Sequence, residues 1–143
     1  LDLYCGLGFF GIAAAKRGAI VHGYELDPFA IAEAKENARE NNVDTQTHWQ
    51  AGPVETSDWT THKNADAAIV DPPRAGLHPK ALDAILAHGP ARLVYISCQY
   101  STFLKEWPRF QEQYELSSVE PIDLFPQTPH VEVVHVLNRR ARA

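Results

Sequence analysis

Gly6-Leu7-Gly8-Phe9-Phe10-Gly11 comes directly after the short apolar run 1–5 and opens an Ala-rich segment, residues 10–17. A G-x-G-x-x-G turn between a strand and a helix constrains a chain strongly. Its glycines permit a tight turn and let a ligand approach the backbone and the helix N-terminus closely. Glu25 ends the next apolar run, about 20 residues on, where a carboxylate accepts ribose hydroxyls. These features point to a nucleoside cofactor and, by themselves, fit NAD and S-adenosylmethionine equally. Asp2 separates the two. A carboxylate just before the glycines adds negative charge beside a pyrophosphate, whereas a sulfonium cofactor with an ammonium group tolerates it. The alternative for Asp2 is a hydrogen bond that anchors the loop.

Downstream, the apolar pattern alternates between strand-like and helix-like periods. Strands are expected at residues 1–5, 20–25, 45–50, 65–70 and 91–97. Helices are expected at 10–17, from Asp27 to about 41, at 80–88 and at about 102–113, the last interrupted or started late by Pro108. Asp27 is a natural N-cap with Pro28 at the first position, and Ile31, Ala34 and Ala38 share one face of that helix. Such alternation predicts a parallel sheet with helices on both faces. Residues 115–122 and 131–137 make two final strands with no room for a helix between them, so they should pair antiparallel. The expected fold is α/β, a class I methyltransferase Rossmann-like fold with a mostly parallel seven-stranded sheet and a C-terminal antiparallel strand. No internal repeat or inner boundary is visible, so residues 1–143 read as one catalytic domain.

The 143 residues, 45% of them hydrophobic, suit one core. No apolar run approaches the roughly 20 residues of a membrane span, and no signal peptide is visible. Cys5 and Cys98 are too few for a disulfide framework or a zinc cluster, which suits a reducing cytoplasm. The seven histidines are scattered, so no metal is expected. A net charge of −5 argues against strong nucleic-acid binding by this segment alone. Arg139, Arg140 and Arg142 are locally basic and read as a solvated tail in preference to an RNA contact. Leu1-Asp2-Leu3-Tyr4 reads as the end of a buried strand, so further segments are expected upstream.

Parallel α/β sheets place their sites at the carboxyl ends of strands. There, Asp71-Pro72-Pro73-Arg74-Ala75-Gly76 forms a lip in which two prolines fix the backbone and remove amide donors. Ser97-Cys98 ends the next strand. Cys5, inside the glycine turn, reads as packing. In 123–132, prolines bracket a polar turn, and alternation puts His130 and Glu132 on one face of the last strand.

Together these segments resemble the RNA uracil-C5 (m5U) methyltransferases, which modify uridines in transfer and ribosomal RNA. The resemblance rests on Asp2-Leu3-Tyr4-Cys5-Gly6-Leu7-Gly8-Phe9-Phe10, Asp71-Pro72-Pro73-Arg74-Ala75-Gly76-Leu77, Tyr95-Ile96-Ser97-Cys98 and Phe125-Pro126-Gln127-Thr128-Pro129-His130-Val131-Glu132, in family order over essentially the whole chain. It implies a catalytic nucleophile at Cys98, a general base at Glu132, and Asp71 beside them and the cofactor. It also implies S-adenosylmethionine held by Asp2, Tyr4, Gly6, Gly8, Glu25 and Asp71, and an RNA partner (tRNA or rRNA) bound through upstream domains of the full-length protein.

The chemistry suits these residue types. Uracil C5 is a poor nucleophile, and a thiolate added at C6 makes it an enolate that accepts a methyl group. A base then removes the C5 proton so that the thiol can leave. The target uridine must leave its stack to be reached. Gln99-Tyr100 stands where the family has Asn-Pro, while Thr102 is kept. After the third strand stands Gly52-Pro53 where methyltransferases often present an acid to adenine, a role open to Glu55. Rival readings are an NAD-dependent oxidoreductase, a silent S-adenosylmethionine-binding module, and a methyltransferase acting on another RNA atom.

Overall fold

Leu3, Val21, Tyr24 and Trp49 are buried, and the strands that carry them lie side by side. These are β1 (Asp2–Leu3), β2 (Val21–Glu25) and β3 (Thr47–Ala51), with β2 parallel to both neighbours. The computed structural model describes residues 1–141. It groups the chain into two units, Leu1–His62 and a second from Lys63 onward.

In the first unit, α1 (Phe9–Ala15) links β1 to β2 and α2 (Pro28–Glu40) links β2 to β3. The N-cap of α2 is the expected one: Asp27 Oδ1 accepts from the Phe29 N–H at 2.8 Å, with Pro28 at the first helical position. Ile31, Ala34 and Ala38 are buried with Cys5, Ile12, Ala15, Val21, Val43 and Trp49 in one apolar cluster. β3 begins at Thr47, later than the sequence suggests, because Asp44–Gln46 winds into a 3-10 turn. The Trp49 indole lies where three side chains are missing. A Cβ added to Gly8, Gly11 or Gly23 would lie 2.9, 2.7 or 2.2 Å from its ring. The third glycine of the turn therefore serves packing, since Gly11 is also pressed against Asp2 and Val21.

The second unit contains β4 (Ala67–Val70), α3 (Pro79–His88), β5 (Arg92–Ser97), α4 (Tyr100–Phe110), β6 (Tyr114–Ile122) and β7 (Glu132–Arg139). β4 and β5 are parallel, and β7 is antiparallel to both β5 and β6. Strand number, sense and the final antiparallel pair are those of the expected mostly parallel seven-stranded class. Along β7, Val133, His135 and Leu137 are buried and the residues between them are half-buried. His135 stacks on Phe103 at 3.6 Å between ring centroids, with Tyr95 edge-on.

Two expectations need correction. α4 starts at Tyr100 and runs through Pro108, so the proline neither delays nor interrupts it. Pro108 sits in the last turn, where the hydrogen bond it forgoes would have gone to the carbonyl of exposed Leu104. The tail reading of Arg139 also fails. Its guanidinium donates to the carbonyls of Ile85 and Leu86 in the last turn of α3 at 2.9 and 2.8 Å, the first of which also accepts the Gly89 N–H, and lies over the Tyr114 ring. Arg140 is exposed, and Arg142 lies outside the described residues. Among the described residues no helix is long and apolar enough to cross a membrane, and no group of three or more His, Cys, Asp or Glu is placed to hold a metal ion.

Gly23→Ala should lower stability by about 1–3 kcal/mol, the usual penalty of overpacking. In urea denaturation, Gly23→Ala combined with Trp49→Leu should lose less than the sum of the two single changes. Strict additivity would refute the packing account.

Candidate active site

Three residues of the first turn have left-handed backbone: Tyr4 at φ 63°, Gly6 at 51° and Gly8 at 82°. Two glycines adopt this freely, while at Tyr4 the conformation is strained and must be held by its surroundings. Two carboxylates hold the turn. Asp2, 1% exposed, accepts the Gly11 N–H at 2.8 Å, the loop-anchoring bond that the sequence left as its alternative. Half-buried Glu25 accepts the Gly6 N–H through one oxygen and the Asp27 N–H through the other, each at 3.1 Å. Glu25 thus ties the loop after β1 to the loop after β2. A carboxylate has about four acceptor positions, so it keeps capacity for a ligand's hydroxyls. A Cβ added at Gly6 would meet nothing within 4 Å, so the backbone there lies open to a ligand. Glu55 is half-buried in the 3-10 turn Val54–Thr56. Burial, then the charges of Asp2 and Glu25, push the buried Cys5 thiol well above its usual range, as suits a packing residue.

In the second unit, strand register gathers the other residues. Ser97 on β5 is paired with Val133 on β7, and Val70 on β4 with Tyr95. Cys98 comes just after Ser97 and Glu132 just before Val133, so in antiparallel sense both stand at the same end of the pair. Asp71 comes just after Val70 at that end. Burial first, and the Glu132 charge second, push the Asp71 carboxyl up to about 6. Cys98 is free and half-buried. It lines a small, partly open hollow with Pro72, Pro73, Arg74, Ser97 and Thr102 among its neighbours. Ser97, 5% exposed, has no hydrogen-bond partner for its hydroxyl among the described residues. Gln99 reaches Ser101, and the Tyr100 ring is 59% exposed at the start of α4.

His130 is not brought in by alternation. β7 begins at Glu132, and His130 belongs to the exposed turn before it, its N–H directed to Thr128 Oγ1. With Gln127 in the left-handed region at φ 70°, the proline-bracketed segment folds as a turn and no strand alternation reaches His130.

Sequence reasoning missed two groupings. His22, on β2, stacks on His48 of β3 at 4.8 Å and meets His62 in a tilted contact at 4.0 Å between ring centroids, and His62 Nε2 is 2.8 Å from the Tyr24 hydroxyl. Burial, then the neighbouring His62 and His48, push the His22 imidazole below its usual range. Spacings of 26 and 14 residues hide this cluster from any local pattern. The second grouping ties α4 to the loop that begins at Asp71: Glu106 accepts from the Leu77 N–H and the Tyr95 hydroxyl, and Thr102 donates to the Arg74 carbonyl. Arg74, Leu77, Tyr95 and Thr102 stood in or beside the motifs, but no sequence signal marked Glu106, which joins them.

Known proteins resemble this chain over most of its length. An RNA methyltransferase of Streptococcus pneumoniae is 42% identical over 137 residues, 94% of this chain and 30% of that protein. The tRNA (uracil(54)-C(5))-methyltransferase of Pyrococcus furiosus is 40% identical over 139 residues, 97% of this chain and 32% of its own. The crystal structure of Pyrococcus abyssi tRNA (uracil-54, C5)-methyltransferase in complex with S-adenosyl-L-homocysteine matches with a TM-score of 0.86 and 39% identity, over 95% of this chain and 33% of that one. An rRNA methylase of Streptococcus thermophilus, at 14% identity and a TM-score of 0.76, shares the fold. The chain spans about a third of the length of the first three relatives. A methyltransferase small domain model matches residues 1–95, and the model described as tRNA (uracil-5-)-methyltransferase matches residues 53–140. The chain belongs to the tRNA (uracil-5-)-methyltransferase family and has its class I methyltransferase fold.

Proposed function

We propose that the full-length protein transfers a methyl group from S-adenosylmethionine to C5 of a uridine in tRNA, through a covalent bond to Cys98. The observation that carries this reading is the β5–β7 register, which sets a free thiol and a carboxylate at one strand end, with Asp71 beside them. Family membership and the relatives' named activity on uracil C5 support it.

The glycine turn fits the cofactor: the backbone at Gly6 is open, and Glu25 retains acceptor capacity for ribose hydroxyls. Asp2 contributes by holding that turn in shape, and Tyr4 and Gly8 by their left-handed backbone. When bound, the cofactor supplies an electrophilic methyl group. Everything else falls to the chain's own groups. The Cys98 thiolate forms a bond to uracil C6, which moves an electron pair to the enolate and leaves C5 nucleophilic. After C5 gains the methyl group, Glu132 removes the C5 proton, the electron pair re-forms the C5–C6 double bond, and the Cys98 thiolate departs. Asp71, ionised above about pH 6, accepts the N3–H of the base and fixes the ring. The Ser97 hydroxyl, in the same hollow, lacks a partner among the described residues and is available to the substrate.

With the full-length protein, unmodified tRNA and methyl-labelled cofactor, label should appear in 5-methyluridine and vanish in Cys98→Ser. Glu132→Gln should slow turnover by about 10²–10⁴-fold, the range for loss of a general base, and accumulate a protein–RNA adduct resistant to denaturing gels. Label in another nucleoside, or full activity in Cys98→Ser, would sink the mechanism.

The electrostatic coupling can be tested directly. A carbon-13 NMR titration should place the Asp71 carboxyl midpoint at about 6, and Glu132→Gln should lower it because one of the two causes of the rise is gone. The midpoint should stay above that of a solvated Asp, since burial persists. An unmoved midpoint would contradict the coupling.

A further inference from the structure

The segment from Asp71 to Leu77 has an unusual support problem. Pro72 and Pro73 carry no amide N–H, so the loop cannot be pinned by its own backbone donors at those positions. An internal backbone bond runs from the Gly76 N–H to the Pro73 carbonyl at 2.8 Å. Further support comes from α4. Thr102 Oγ1 donates to the Arg74 carbonyl at 3.0 Å, and the Leu77 N–H donates to Glu106 Oε1 at 2.8 Å. The other oxygen of Glu106 accepts the Tyr95 hydroxyl at 2.9 Å. One half-buried carboxylate therefore joins three segments: the loop from Asp71, the strand that ends just before Cys98, and the helix that begins two residues after it.

Gly76 makes the contact possible. It has φ +87°, and a Cβ added there would lie 2.3 Å from Glu106 Oε1 and 2.5 Å from Thr102 Cγ2. The loop backbone is pressed onto α4 at the point where Glu106 acts. A surface carboxylate in a solvated helix needs no such accommodation.

We propose that Glu106 is a positioning residue for methyl transfer, clamping the Asp71 loop and β5 to α4 so that Asp71 and Cys98 keep a fixed relative position. The proposal rests on the covalent reaction assigned to Cys98. Glu106 touches none of the proposed reacting atoms; it acts through the segments that carry Asp71 and Cys98. Displacements of about 1 Å at reacting groups cost up to about 10²-fold in rate, so loosening this clamp should be read in kcat. Cofactor affinity should be spared, because the glycine turn and Glu25 hold their geometry through other bonds.

The test is steady-state methylation of tRNA by the full-length protein and three variants, with thermal melts to correct for folded fraction. Glu106→Ala should lower kcat by about 10–100-fold, with KM for S-adenosylmethionine within about twofold of wild type. Glu106→Gln keeps an oxygen for the Leu77 N–H and should recover most of the lost kcat. Tyr95→Phe keeps the ring and deletes only the donor to Glu106, so it reads the clamp even where Glu106→Ala fails to fold; its kcat should fall at unchanged cofactor KM. Wild-type kcat in folded Glu106→Ala or in Tyr95→Phe would overturn the proposal. So would a Glu106→Gln variant as impaired as Glu106→Ala, or a loss that appears wholly in cofactor KM. Cys98→Ser, run alongside, separates the two readings. If it retains full 5-methyluridine formation the reaction mechanism fails, while the Glu106 series still reports whether the clamp controls turnover.

Discussion

The antiparallel register between β5 and β7 is the constraint on which the candidate site depends. Side chains on a strand alternate between faces, so a slip of one residue would turn every side chain of β7 over. Val133, His135 and Leu137 would leave the core, and the stack of His135 on Phe103 would be lost. Burying each aliphatic side chain stabilises by about 1.5–3 kcal/mol, so the slipped register is excluded by several times thermal energy. The same register sets Glu132 across from Cys98. Site geometry is thus a by-product of core packing. A polar pair that could not specify its own placement is placed by the buried residues that alternate along the same strand.

The first unit solves its own problem by leaving space. Gly8 caps α1, Gly11 lies within it and Gly23 lies on β2, and the Trp49 indole takes the volume that their side chains would fill. This lets α1 approach the sheet closely and brings the turn of Gly6 and Gly8 down to the level of Asp2 and Glu25. Both carboxylates then accept backbone N–H groups of the turn. Charge-assisted bonds of this kind are among the stronger ones a fold can use, and they hold Tyr4 in a backbone conformation that it would not adopt in isolation.

Much of this was legible in the residues, for reasons that are physical. The β/α alternation, the Asp27 cap, the Ile31–Ala34–Ala38 stripe and the final antiparallel pair follow from local periodicity and from connections too short for a crossover. The four motifs announced the family because their order and spacing are preserved. What stayed hidden depends on contacts across long sequence distances. Trp49 meets glycines up to 41 positions earlier, His22 meets His62 across 40, and Glu106 meets Leu77 across 29. Arg139 looked like a tail because its partners, the last carbonyls of α3, lie more than 50 residues upstream. The His130 alternation misled because a proline-bracketed turn carries the same polar–apolar rhythm as a strand without its extended backbone.

The two cysteines show why residue type and motif do not by themselves assign chemistry. Both come just after a strand of the parallel part of the fold, and both sit within motifs of the family. Cys5 is buried against the apolar cluster, with two carboxylates nearby whose charge opposes a second anion. A thiolate there would be desolvated and repelled at once, so the group stays protonated and acts as a small hydrophobe. Cys98 sits one residue past the end of β5, half-buried, lining a hollow with the Ser97 hydroxyl, which lacks a partner among the described residues. The path of the backbone beyond each strand makes the difference. After β1 the chain turns back through glycines and seals Cys5 beneath the turn. After β5 it enters α4 directly, and the loop from Asp71, bonded to that helix, lines the hollow beside Cys98 without burying it.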